Sequence, residues 1–424
     1  MRTITMDDHP MKIINARLRG QESLFSISIR DGCFSQIEQQ QSTLAISAGS
    51  YDAKGNLCCA PFVEPHIHLD AALTAGQPNW NMSGTLFEGI ERWAERKPML
   101  SAEDVEQRVL KTVELLVANG VQYIRTHVDV TDPQLVALKA IAKLKSRLQD
   151  KILLQIVAFP QEGIWSYPNG RELMLQALEE GADVIGGIPH FEFTREYGVE
   201  SMRWVIELAQ QTGKLVDVHC DEIDDDAARF LEVLATAALE ANIGPRVTAS
   251  HTTAMHSYNN AYCSKLFRLL KMSKINFVSC PTESIHLQGR FDSYPKRRGI
   301  TRVKELREAG LNVCFAQDSI QDPWYTLGNG KLLRVLDSGI HSCHMMGYSE
   351  LQNCLDLITD NGARTLQVED EYGIELGKPA NFIVLEGGND VEVLQKQGEV
   401  LLSVRQGQIL IERKPAELLQ SPTF

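Results

Sequence analysis

Residues 60–70 read APFVEPHIHLD, a short apolar segment that ends in two histidines, His66 and His68. Seven further apolar, β-branched segments follow along the chain. They are VQYIRTHVDV (121–130), ILLQIVAFPQ (152–161), DVIGGIPHFEF (183–193), KLVDVHCDE (214–222), RVTASHTT (246–253), INFVSCPTES (275–284) and LNVCFAQDS (311–319). After the first, they start about every 30 residues, which is the length of a βαβ unit. Eight such units predict an α/β protein whose parallel strands close into a (β/α)8, or TIM, barrel.

The stretches between these segments have helical patterns. Ser101 precedes an apolar stripe of helical spacing, Asp104 lies three residues further on, and Gly120 follows in the position of a C-terminal cap. Strands that alternate with helices favour a parallel sheet covered on its faces. The alternative is an open doubly wound sheet, but no GxGxxG motif follows an early strand.

The two ends of the chain differ from its middle. KIINARL (12–18), FSISIRDGCFSQI (25–37), NFIVLEG (381–387) and LLSVRQGQILIER (401–413) alternate with a period of two, without helical spacing. We therefore predict one small β-sandwich domain from residues 1–59 and 378–424, beside a catalytic barrel of residues 60–377. Two independent β appendages are the alternative.

Composition and charge limit the function. The 424 residues are 43% hydrophobic and 23% charged, as expected of a globular protein, and the net charge of −13 argues against nucleic-acid binding and a membrane surface. The start, MRTITMDDHPMKII, lacks the apolar core of a signal peptide, and the nine scattered cysteines are typical of free thiols. We expect a cytoplasmic protein with a small-molecule substrate. Whether Met1 or Met11 is the start, and whether the chain forms a homo-oligomer, stay open.

Polar side chains follow several of the predicted strands, where a barrel carries its catalytic groups. His66 and His68 are two residues apart, so both imidazoles point to the same side of their strand. His219, His251 and Asp318 end the fifth, sixth and eighth strands. Imidazoles with a carboxylate suit a catalytic Zn²⁺ or Fe²⁺ ion, which generates hydroxide from water at neutral pH. The residues do not choose between these metals.

Two further histidines have weaker support. His190 and Glu192 match half of the motif of small zinc deaminases, but the PCxxC half is absent. His190 is a structural residue or a supporting one, with neither favoured. For His127, at the end of the second strand, a structural role is favoured.

Longer strings, among them FVEPHIHLD, GTLFEGIERWAERK, LQIVAFPQEG, VDVHCDEIDD and VTASHTTAMHSYN, resemble those of bacterial cytosine deaminases of the metal-dependent amidohydrolase superfamily. The resemblance implies one divalent metal ion, Fe²⁺ or Zn²⁺, and the following metal ligands: His66, His68, His219 and Asp318. It implies that His251 hydrogen-bonds the attacking water and that Glu222 shuttles protons to the ring. It also implies that Gln161 holds the amide edge of the base, in a barrel with a small β domain built from both termini.

The resemblance therefore implies hydrolytic deamination of a free pyrimidine base. Phe159 and Trp324 are candidate aromatic walls for a flat base, although Phe159 could equally pack in the core. Another nitrogen heterocycle, such as isoguanine or an aminotriazine, is the alternative substrate, because a fold does not fix a function. A barrel that binds bases without turnover is disfavoured, since the candidate catalytic groups are all present.

The chain departs from the cytosine deaminase pattern at the end of the eighth strand. Those enzymes have two consecutive aspartates there, whereas this chain has Asp318 followed by Ser319. The family's second aspartate borders C5 of the pyrimidine, so a serine makes room for a substituent about the size of a methyl group. We therefore hypothesise a preference for 5-methylcytosine, with thymine and ammonia as products. Thr282 or Glu283, in CPTES (280–284), could also alter the pocket.

Overall fold

A computed structural model describes residues 11–416. The predicted small domain also includes residues 1–10 and 417–424, which lie outside the described residues. Within residues 11–416 the strands are β1 Lys12–Leu18, β2 Leu24–Arg30, β3 Cys33–Gln39, β4 Ser50–Asp52, β5 Leu57–Cys59, β6 Phe62–Ile67, β7 Val121–Asp129, β8 Leu153–Phe159, β9 Val184–Gly187, β10 Leu215–Cys220, β11 Val247–His251, β12 Asn276–Ser279, β13 Val313–Phe315, β14 Phe382–Leu385, β15 Val400–Arg405 and β16 Gln408–Glu412.

The α-helices of the described residues separate most of the barrel strands. They are α1 Leu86–Arg96, α2 Ala102–Ala118, α3 Val136–Arg147, α4 Gly170–Glu179, α5 Arg195–Thr212, α6 Phe230–Glu240, α7 Asn260–Ser273, α8 Pro281–Leu287, α9 Val303–Glu308, α10 Leu332–Ser342, α11 Tyr348–Leu351, α12 Asp360–Leu366 and α13 Asp390–Lys396. Among them, none is long and apolar enough to cross a membrane.

The eight strands β6 to β13 form one parallel sheet in sequence order, so the predicted α/β barrel is confirmed. The sheet closes between its first and last strands. The backbone N–H of Asp318 donates to the carbonyl oxygen of His66 at 3.0 Å, and the N–H of His68 donates to that of Asp318 at 3.3 Å. Each of the eight segments predicted from the sequence contains one of these strands.

Helix α2 shows why the sequence pattern was informative. The Ser101 side chain accepts the backbone N–H of Asp104, as the capping pattern predicted. The stripe that begins at Val105 and Val109 is buried against the barrel. Gly120 has a φ of +85°, a left-handed conformation that glycine adopts readily between a helix and the next strand.

The two chain ends share a second, mixed sheet. Its strand order is β16-β15-β14-β5-β1-β2-β3, and β4 pairs in parallel with β1. Because β14 from the C-terminal segment pairs with β5 from the N-terminal segment, two independent appendages are ruled out. Ile13, Ile27, Phe34 and Phe382 are buried in its separate apolar core. The domain boundaries remain a prediction.

Candidate active site

Four side chains predicted from the sequence meet at the C-terminal end of the barrel. His66 lies on β6, His68 directly follows that strand, His219 lies on β10, and Asp318 follows β13. The Nε2 atoms of His68 and His219 are 3.1 Å apart. Oδ1 of Asp318 lies 3.6 Å from Nε2 of His66 and 3.5 Å from Nε2 of His68. The four side chains are buried, and ligand atoms of His66, His68 and Asp318 all lie within 4.8 Å of one another.

These atoms fit a single divalent metal ion. Nε2 of His66 has no hydrogen-bond partner within residues 11–416, and such an atom is costly to bury unless something binds it. Burial and the neighbouring imidazoles lower the pKa of His66, His68 and His219, so all three are neutral and offer lone pairs. Three imidazole nitrogens and one carboxylate oxygen, with the separations of 3.1, 3.5 and 3.6 Å given above, match the ligand set of catalytic Zn²⁺ or Fe²⁺.

A buried chain of polar groups orients His66 from behind. Its Nδ1 lies 3.0 Å from Oγ of Ser250, and that hydroxyl donates to Asp217 at 2.6 Å. The guanidinium of Arg125 donates to the other oxygen of Asp217 at 2.9 Å. Sequence reasoning missed this support. The alternation along β10, which puts residues 217 and 219 on one side of the strand, is the signal that could have identified Asp217.

His251 and Glu222 lie next to Asp318. Nδ1 of His251 is 3.7 Å from Oε1 of Glu222 and 3.7 Å from Oδ2 of Asp318. Burial, and then the nearby Glu283, raise the pKa of Glu222, while burial and Glu222 raise that of Asp318. Both carboxyl groups are therefore suited to hold a proton and pass it on.

The backbone at two of these strand ends is strained. His251 and Asp318 both have a φ of +67°, which non-glycine residues rarely adopt. Such conformations cost about 1–3 kcal/mol each and cluster at active sites. Here they turn the two side chains towards the common point.

A small cavity opens onto these groups. It is lined by His68, Leu86, Gln161, His219, Glu222, His251, Glu283, Asp318, Ser319 and Trp324. Of the two residues in CPTES that the sequence singled out, Glu283 lines the cavity and Thr282 does not. Leu86 was not predicted, because it begins helix α1 and lies far from any strand end along the chain.

Phe159 packs beside the site without lining the cavity. Its ring stacks on His219, with centroids 4.0 Å apart and an interplanar angle of 19°. Phe159 is fully buried, as expected of a core residue. It fixes the plane of the His219 imidazole.

The two weaker histidine candidates lie behind the site. The His127 ring stacks 3.8 Å from that of His66, and its Nε2 is 3.5 Å from Asp217. His190 is in the short 3-10 turn Pro189–Phe191. Glu192 accepts backbone N–H groups of Ile164 and Ser166, an arrangement that holds a loop rather than a metal.

Comparison with known proteins extends over nearly the whole chain. A family model described as "Amidohydrolase family" matches residues 50–161 and 138–411. The crystal structure of 5-methylcytosine deaminase from Klebsiella pneumoniae, liganded with 5-fluorocytosine, is 62% identical in sequence and has a TM-score of 0.96. The match covers 97% of this chain and 100% of that one.

A more distant relative is similar over the same length. N-isopropylammelide isopropyl amidohydrolase of Pseudomonas sp. (strain ADP) is 29% identical over 412 residues, which cover 96% of this chain and 98% of the relative. Pterin deaminase of Rhizobium rhizogenes is 24% identical over 86% of this chain and 83% of its own length. The similarity thus includes both sheets and the barrel.

Proposed function

Because this chain belongs to the amidohydrolase family, we propose that it is a metal-dependent deaminase of free pyrimidine bases. It converts cytosine or a 5-substituted cytosine, with water, to the corresponding uracil and ammonia. The observation that carries this proposal is the cavity itself, in which candidate metal ligands, proton-transfer groups and Ser319 face one space. Its similarity to a 5-methylcytosine deaminase supports the same substrate class.

The proposed metal ligands are His66, His68, His219 and Asp318. A Zn²⁺ or Fe²⁺ ion bound there supplies a water molecule whose pKa is lowered towards about 7. Ser250 and Asp217 hold His66 so that its Nε2 faces the ion, the usual role of groups that support a metal ligand.

The side chains around the ligands supply the proton transfers. Asp318 takes a proton from the attacking water as the new C4–O bond forms, and His251 orients that water. Glu222 gives a proton to ring nitrogen N3. The proton held by Asp318 passes to the amine, the C4–N bond breaks and ammonia leaves. The proton of the new C4 hydroxyl returns to Glu222 as the carbonyl forms, so both carboxyl groups regain their starting state. Well-placed general acids and bases each contribute about 10²–10⁴-fold to such rates.

Gln161 and Trp324 bind the base. The Gln161 carboxamide is both a donor and an acceptor, so it can pair with adjacent N–H and C=O groups of a pyrimidine. Trp324 contributes an aromatic wall to the cavity. Phe159 acts through the ring of His219, on which it stacks.

Ser319 sets the preference for a substituent at C5. The residue is buried and lines the cavity, where a serine occupies less space than the aspartate of the cytosine deaminases it resembles. Burying a methyl group in the space that the serine leaves open is worth roughly 0.8 kcal/mol. The preferred substrate is therefore 5-methylcytosine, with thymine as product.

The decisive experiment compares kcat/KM for cytosine and 5-methylcytosine, with the enzyme loaded with Zn²⁺ or Fe²⁺ in parallel. We expect 5-methylcytosine to be the better substrate with the more active metal. A strong preference for cytosine would contradict the substrate proposal. Isoguanine and an aminotriazine belong in the panel, because the Pseudomonas relative is named for another type of substrate.

We also propose that the enzyme acts in the cytoplasm. All nine cysteines are free thiols, and seven of them are buried. A reducing compartment keeps such thiols unpaired.

A further inference from the structure

Glu283 brings a further carboxyl group into the cavity. Helix α8 begins at Pro281, directly after β12, and its first turn carries Glu283 to the lining. The side chain lies beside Asp318 and Ser319 and is only 4% exposed. Its Oε2 atom accepts no hydrogen bond from the part of the chain that the structure describes.

A buried carboxylate oxygen without a donor costs free energy unless a ligand supplies one. The cavity lining includes no lysine or arginine within residues 11–416. A bound molecule with an N–H group can supply the donor. Cytosine has two kinds of donor, the ring N1–H and the exocyclic amino group on C4.

The position of Glu283 in the barrel decides between these donors. Gln161 follows the third barrel strand, β8, whereas Glu283 follows the seventh, β12. In a barrel of eight strands the third and seventh lie opposite each other. If Gln161 holds the amide edge that contains N1, the opposite edge, with C4, its amino group and C5, faces Glu283 and Ser319.

From this geometry we propose that Glu283 accepts a hydrogen bond from the exocyclic amino group of the base and is a specificity-determining residue of the pocket. The inference rests on the proposed function and deepens it. The carboxylate that cytosine deaminases carry after the eighth strand is a serine here, and Glu283 provides one from the seventh. Glu283 thus supplies an acceptor for the amine while the space beside C5 stays open.

The test compares ligands with and without the amino group. Pyrimidin-2-one has the same ring and no amine. In Glu283→Val we expect kcat/KM for cytosine and 5-methylcytosine to fall roughly 10–100-fold, the range for leaving a buried donor without its acceptor. The inhibition constant of pyrimidin-2-one is expected to change less than about threefold. Glu283→Gln, which keeps an acceptor oxygen and the shape, should lose less.

Two further variants separate this role from a structural one. Thr282→Val changes the neighbouring buried residue, which does not line the cavity, and should leave both measurements unchanged. Adding Ser319→Asp to Glu283→Val returns a carboxylate to the eighth strand, and it should restore cytosine but not 5-methylcytosine turnover. Equal losses for cytosine and pyrimidin-2-one, or full activity of Glu283→Val, would overturn the inference.

A different result is expected if the proposed function itself is wrong. The wild-type enzyme would then release no ammonia from either base. Calorimetric binding of cytosine and pyrimidin-2-one to wild type and Glu283→Val still tests Glu283 in that case. A loss of affinity confined to cytosine supports its role, and an equal change for both ligands contradicts it.

Discussion

The hydroxyl of Ser250 donates a 2.6 Å hydrogen bond to Asp217 across two neighbouring barrel strands. Burial acts to raise the pKa of Asp217, but His127, Arg125 and this hydrogen bond lower it below its ordinary value, so the acceptor is an ionised carboxylate. Since the serine proton points to Asp217, the serine oxygen can only accept from Nδ1 of His66, 3.0 Å away. His66 therefore carries its proton on Nδ1, and the lone pair of Nε2 faces the proposed metal.

Ser250→Ala is expected to weaken metal binding about 10–100-fold, the usual effect of removing a group that orients a metal ligand. The alanine leaves Nδ1–H of His66 without an acceptor and frees the ring to rotate. Competition with a chelator of known affinity, followed by metal analysis, measures the change. Ser201→Ala removes an equally buried hydroxyl within helix α5 and is the matched control. Unchanged affinity in Ser250→Ala would contradict this role.

Glu222→Gln is expected to lower kcat by about 10²–10⁴-fold with metal content unchanged, because the amide cannot deliver a proton to the ring. The substitution keeps the size of the side chain. Steady-state rates and metal analysis of the same preparation check both halves of the prediction. A loss of metal that parallels the loss of activity would instead indicate that Glu222 helps to hold the ion.

Ser319→Asp is expected to shift the preference towards cytosine. The aspartate refills the space beside C5 and adds a desolvated charge there. The measurement is the ratio of kcat/KM for 5-methylcytosine to that for cytosine, which should fall at least tenfold. Ser319→Ala, which stays small and uncharged, should keep the wild-type ratio. No shift with aspartate would mean that residue 319 does not face C5.

Arg125→Met is expected to reduce the free energy of unfolding by about 3–5 kcal/mol, because it leaves Asp217 as an unpaired buried charge. Both side chains of this pair are fully buried. Arg147→Met breaks the exposed pair with Glu106 and should cost less than about 1 kcal/mol. Urea unfolding of both variants gives the comparison. A small effect at Arg125 would show that the pocket admits water.

The barrel and the placement of the strand-end residues could be predicted because both depend on local patterns. β-branched runs identify strands, and residues at their C-terminal ends meet wherever a barrel closes. The sequence also identified both chain ends as strands.

Side chains that reach the site by tertiary contacts were harder to predict. Ser250 supports His66 only because strand register puts it next to His219 on the adjacent strand. The sequence identified Glu283 as a departure from the cytosine deaminase pattern. The direction of its side chain, however, depends on where helix α8 begins. Leu86 is the first residue of helix α1, and its position depends on packing of that helix against Trp324. At Gly89 a β-carbon would lie 2.3 Å from that indole.

The barrel closes where β6 meets the residues after β13, and the proposed ligands lie on both sides of this join. His66 and His68 belong to the first strand, and Asp318 to the segment after the last. A bound ion would therefore link the first and last strands of the barrel. Metal-free protein should open first at this seam, so amide hydrogen exchange there would report metal occupancy without any substrate. Metal binding would then be coupled to folding of the enzyme.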